Sequence, residues 1–332
     1  MKILWGRLVS VFNLDFQAGR QQEARIMFVE YKGTIFGLAR WQWKPLLIFV
    51  LVSTGIVVGH QFYPKLVGFI EIPSLPLGVV GGAIGIFTSF RTNSAYQRWW
   101  EGRQLWGRLV NSSRHFCTQV LAYLPMDEGD RPSELQKRLV RRQILYVHML
   151  RCLLRKQDPW ADQEVRRYVK EADVQALRAQ SSIAHAILHE HAKDIAACAD
   201  AGKLEPLRLK AIDETLANVL DVQGGCERIK NTPFPRGYGF IAERLIWAFG
   251  WLLPLGLVES AAWATIPITV LVCMSFLLIG EVGRVLEDPF TMFWPALPLS
   301  ALSTTIEANL LDRLGETEVP ALHKPNEQGI LM

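Results

Sequence analysis

The chain is poor in the residues that staple a fold or carry out catalysis. Its 332 residues include five cysteines, Cys117, Cys152, Cys198, Cys226 and Cys273, far apart, odd in number and without a CxxC pair. Neither a disulfide framework nor a zinc site is indicated. A GxxxxGKS/T phosphate loop, a GxSxG elbow, an HExxH helix and a dinucleotide fingerprint are all missing. The sequence therefore carries no enzyme signature and asks for no cofactor. Lysine-rich runs are missing as well, and the net charge is only +4, which argues against a nucleic-acid partner. There is no alternating strand pattern, no repeat of fixed period and no low-complexity tract. A cleavable leader is not expected either, because Arg7 interrupts the one short apolar run near the start and Asp15, Arg20, Glu23 and Arg25 follow soon after.

Long uncharged runs are what the chain does have. Half of its residues are hydrophobic and a fifth are charged, a mixture that suits a few membrane helices joined to a water-facing part. Residues 45–63 are free of Asp, Glu, Lys and Arg, with Arg40 and Lys44 before them and Lys65 after. Residues 72–90 form a second run, opened by Pro73 and Pro76 and closed by Arg91. Two more runs, at 240–258 and 261–280, are separated only by Glu259 and Ser260; the first is uncharged from Leu245 on, extends upstream through Phe240, Ile241 and Ala242 despite Glu243 and Arg244, and contains Pro254. The reading is an all-α membrane protein with four crossings.

Charge sets its orientation. Arg91, Arg98, Arg103, Arg108 and Arg114 crowd behind the second run, whereas the two short loops carry only Lys65, Glu71 and Glu259. By the positive-inside rule both hairpins point outward. Residues 91–239, the segment 281–320 and both termini fall on the cytoplasmic side. Apolar residues three and four apart, as in Ile144, Leu145, His148 and Met149 or Ile212, Leu216, Val219 and Leu220, predict that this part is helical. Residues 321–332 read as a flexible tail.

Gly78, Gly82, Ile86 and Phe90 fall four apart and share one helical face. Such a face can pack closely through small residues or line a pore as an apolar constriction, and spacing alone does not choose. Beyond Phe90 the helix is predicted to continue out of the membrane, with Ala95, Trp99, Gly102, Trp106 and Leu109 on one stripe. His185, His189 and His191 lack the order of a zinc helix and read as ordinary imidazoles, so no metal is expected. Glu281, Glu287 and Asp288 follow the last run, where acids either bind cations or solvate the helix end. No acid suited to proton coupling lies inside a span, since Glu71, Glu259 and Glu281 only border them, which favours passive conduction.

The run Ser89-Phe90-Arg91-Thr92-Asn93-Ser94-Ala95-Tyr96-Gln97-Arg98-Trp99-Trp100-Glu101-Gly102-Arg103, with Leu105-Trp106-Gly107 after it, resembles the bestrophin signature in its bacterial form. Gly224-Gly225-Cys226-Glu227-Arg228-Ile229-Lys230-Asn231-Thr232-Pro233-Phe234-Pro235, Leu286-Glu287-Asp288-Pro289-Phe290 and Asn309-Leu310-Leu311-Asp312 extend the likeness across the chain. The resemblance implies a homopentamer in lipid, with four membrane helices per subunit around one central pore that passes monovalent ions, anions or cations. It implies a neck at Ile86 and Phe90, with Gly82 where a larger side chain is usual, and a second, cytoplasmic constriction placed at Ile187. Glu71, Arg91, Glu287 and Asp288 become candidate pore-mouth charges. The calcium-binding acidic run of animal members has no counterpart in Thr291-Met292-Phe293-Trp294-Pro295.

Overall fold

The structure, a computed structural model, describes residues 27–28, 42–63, 73–129, 131–232, 234–292, 295–324 and 330–331. Glu71 lies outside the described residues. Helix α1 spans Trp43–Phe62 and α2 spans Ser74–Tyr123. Five helices follow: α3 Glu134–Leu154, α4 Gln163–Tyr168, α5 Glu171–Arg178, α6 Ile183–Asp200 and α7 Pro206–Asn231. Then come α8 Arg236–Ala261, α9 Thr265–Leu286 and α10 Leu299–Leu314.

The 50 residues of α2 form one unbroken rod, about 75 Å long at 1.5 Å per residue. Pro73 caps it, and Pro76 sits in the first turn, where its missing N–H deprives the helix of nothing. The rod threads two separate cores. At one end Leu77 and Ile84 pack with Phe49 of α1, Ile246, Phe249 and Leu253 of α8, and Cys273 and Met274 of α9. At the other, Trp106, Leu109, Phe116 and Val120 pack with α3, α6, α7 and α10 into a larger helical base. Ala95, Trp106 and Leu109 have no exposed surface, so the stripe read from the sequence beyond Phe90 is the buried one.

Two glycines set how closely the neighbours approach the rod. A Cβ on Gly225 of α7 would lie 2.7 Å from Leu105 Cδ2, and one on Gly239 of α8 would lie 2.7 Å from a terminal nitrogen of Arg91. Only a bare backbone lets α7 and α8 come this near.

Trp43–Phe62 and Gly239–Leu286 are apolar enough to cross a membrane, with mean hydropathies of 1.8 and 2.2. The second is the α8–α9 hairpin. Glu259 and Ser260, expected to form its turn, lie inside α8, and the reversal comes at Ala262–Ala264, a 3₁₀ turn in which Ala262 takes φ of 45°. Glu and Ser do not by themselves stop a helix; the left-handed backbone at Ala262 does.

Among the described residues of the segment read as a tail, two contacts are made. His323 Nε2 lies 3.1 Å from Thr304 Oγ1 of α10. Phe28 and Met27 (β1) pair antiparallel with Ile330 and Leu331 (β2).

Candidate functional site: the exposed stripe of the long helix

Because α1, α8 and α9 cover one side of the rod at its apolar end, the other side stays open. Ile86 and Phe90 are each 62% exposed. Gly82 is exposed too, and a Cβ there would meet nothing within 4 Å. Val79, Gly82, Ile86 and Phe90 lead into Asn93 and Gln97 and, past the partly buried Glu101 on the same face, into Gln104, Arg108, Asn111, His115 and Thr118; all but Glu101 are exposed. Their steps of three, four and seven hold one face along the whole rod. The stripe is apolar over the first half and polar over the second. It can exclude water at one end and solvate ions at the other.

The candidate pore-mouth charges are placed differently from the expectation. Arg91 points away from the stripe, 9% exposed at its side chain, and its terminal nitrogen donates to Glu287 Oε1 at 2.7 Å. Lys230 Nζ lies 2.7 Å from Asp288 Oδ2, and Asp288 Oδ1 accepts from the Phe290 N–H. All three residues are therefore committed within the subunit. The cause is the packing of α9 on the rod, which brings its last turn level with Arg91. Arg98 adds a clamp: its guanidinium donates to the carbonyls of Ile229 and Thr232 at the end of α7 and to that of Glu287. One cation thus satisfies carbonyls left open at two helix ends. Trp99 Nε1 donates to Pro295 O at 2.9 Å, and the buried Phe290 ring lies against Gly102. The signature residues of the rod are in large part the fasteners of this junction.

Ile187 is also relocated. It is 2% exposed and packed in the core of the base, because the apolar face of α6 turns inward. A side chain so buried cannot form a ring between subunits. The apolar residue left open at the far end of the rod is Leu207, 74% exposed in the first turn of α7. The neighbouring Arg208 lies over the Tyr123 ring, 5.4 Å from its centre. Its one signal in the sequence is a leucine directly after a helix-initiating proline, Pro206.

The three clustered histidines do not converge: His185 and His189 are exposed, and His191 is fully buried edge-on to Phe116. Burial, and then the charge of Arg142, hold the His191 imidazole well below its usual pKa, so it is neutral. One other group, His148, Glu164 and Glu307, gathers its ligand-type atoms within 4.8 Å. Its charges are met by the protein. Glu307 accepts from His148 at 2.8 Å and from the Tyr168 hydroxyl at 2.6 Å, and Arg167 lies 3.3 Å from Glu307 and 3.4 Å from Glu164. Burial works against ionisation of Glu307, but these partners outweigh it and keep the carboxyl below its ordinary pKa.

The apolar helix α1, the apolar α8–α9 hairpin and a rod threading two cores define an all-α membrane protein. Comparison with known proteins makes this specific. The family model for bacterial and fungal bestrophins matches residues 18–312. A Salmonella typhi protein named voltage-dependent anion channel-forming protein YneE is 32% identical over 309 residues, 93% of this chain and 97% of that one. The protein of the same name from Escherichia coli K12 is 34% identical over 281 residues, 85% of this chain and 89% of that one. The crystal structure of a bacterial bestrophin homolog from Klebsiella pneumoniae superposes with a TM-score of 0.75 at 33% identity, over 82% of this chain and 98% of that one. The chain belongs to the bestrophin family, in its bacterial and fungal branch.

Proposed function

We propose that this protein is a passive channel for monovalent anions in the bacterial inner membrane, formed by five copies arranged with the exposed stripe of α2 toward a common axis. The observation that carries the reading is the exposure of Ile86 and Phe90 on the face of the rod that α1, α8 and α9 leave open. Large apolar side chains left open on one face of a buried helix call for a partner surface. Rings of Ile86 and Phe90 form the neck and act by size and dewetting, and Gly82 leaves its outer end wide. Residues 45–63, 72–90, 240–258 and 261–280 provide four crossings, and both termini are cytoplasmic.

Anions are favoured by what the stripe carries below the neck. Arg108 lies on it, whereas Glu101, the nearest acid along the rod, is held by Arg228. The names of the Salmonella and Escherichia relatives point the same way. With Ile187 buried, Leu207 takes its place as the apolar ring at the cytoplasmic end.

Native mass spectrometry of the detergent-purified protein, followed by chloride efflux from proteoliposomes, tests the reading. Pentamers that release chloride support it. Verified pentamers without efflux would make the chain a membrane-anchored scaffold.

A further inference from the structure

Arg151 and Arg155 lie four apart at the end of α3 and so reach in one direction. Both stop at the first turn of α10. Arg155 donates to Ser300 Oγ at 2.7 Å, and Arg151 donates to the same oxygen at 3.4 Å. Among the described residues one carboxylate serves the two guanidiniums, Asp162, which lies 2.6 Å from Arg151. Among the described residues Arg155 has no ion-pair partner. The Nε–H groups of both arginines are buried without an acceptor, and the Arg151 side chain is only 9% exposed.

The backbone adds to this excess of donors. Helix α10 is 16 residues long and starts at Leu299 behind Pro298, which supplies no side-chain cap. The positive end of its dipole therefore meets two cations. Burial and the neighbouring Arg151 charge pull Arg155 down to about 10, as expected for a charge with too little compensation. Arg155 and Ser300 are both half-buried, which leaves a way in from solvent.

We propose that Arg151, Arg155, Ser300 and the N-terminus of α10 bind a small tetrahedral oxyanion, a phosphate or a phosphate monoester, in the cytoplasmic base. Planar guanidinium forks match the edges of such an anion, and an uncapped helix start presents N–H groups to it. The site is separate from the neck, and its occupancy stiffens the joint between α3 and α10.

The test uses the full-length assembled protein in detergent, with thermal unfolding followed against inorganic phosphate at constant ionic strength set by chloride. The expected result is a saturable rise in Tm, with phosphate binding at least tenfold weaker in Arg155→Gln. Ser300→Asp puts a carboxylate where the anion sits. It should raise Tm without phosphate and abolish the response, and it decides the matter even if Arg155→Gln fails to fold. In nanodiscs, a Tm rise caused by phosphatidylglycerol and lost in Ser300→Asp would make a lipid headgroup the oxyanion. A rise with phosphate in phosphatidylcholine discs would make it a soluble one. No saturable rise from either source, or a rise unchanged in Ser300→Asp, overturns the proposal.

Discussion

Arg91 and Glu287 are 196 residues apart in the chain and meet at 2.7 Å, where the last turn of α9 crosses the rod. Both had been candidates for charges facing permeant ions, and the fold spends them on each other. Truncating one partner of this partly buried pair leaves the Arg91 guanidinium short of its acceptor, at a cost of about 1–3 kcal/mol. Glu287→Ala should therefore lower Tm clearly, whereas the double variant Arg91→Met with Glu287→Met should recover much of the loss. Equal losses in single and double variants would mean that the pair is not coupled.

At the neck, Ile86→Ala combined with Phe90→Ala removes the large apolar side chains of the exposed stripe. Basal conductance should rise several-fold as the dewetting barrier falls. Unchanged single-channel current would place the barrier elsewhere along the rod, with Leu207→Ala the next variant to record.

His191 gives the fold an acid-sensitive point. Its pKa is depressed in the folded protein from an ordinary value of 6.5, so below that pH the unfolded chain binds the extra proton. Stability is then fully present above about pH 6.5 and falls below it, by up to about 1.4 kcal/mol per pH unit for one group. Glu307, whose carboxyl stays below its ordinary pKa of 4.5, adds its own loss only at lower pH. His191→Leu should flatten the decline in Tm between pH 6.5 and 5, and an unchanged slope would assign that decline to other groups.

Calcium should have no effect. Asp288 is held by Lys230 and by the Phe290 N–H, and Thr291-Met292-Phe293-Trp294-Pro295 supplies no acid. A calcium site needs about six to eight oxygen ligands. Chelation with EGTA should leave ion flux as it was, and loss of flux would reveal a site made by some other part of the assembly.

Much of this architecture is legible in the sequence because local rules govern it. The apolar runs and the four-residue spacing of Gly82, Ile86 and Phe90 act through helix geometry, and the helices and the shared exposed face follow from it. What was not legible depends on contacts between distant segments. No local pattern says that Arg91 will find Glu287, that His148 will find Glu307 159 residues away, or that the apolar face of α6 turns Ile187 inward and leaves Leu207 outside. The α8–α9 turn was misplaced for a related reason: Glu259 and Ser260 look like loop residues, while the break depends on the φ of Ala262.

The most direct test is the reversal potential of the purified protein in planar bilayers under a potassium chloride gradient, with each ion then replaced by a large impermeant one. The account predicts a reversal potential near that of chloride and loss of current when chloride is replaced. A reversal potential near that of potassium, with current surviving chloride replacement, would contradict it.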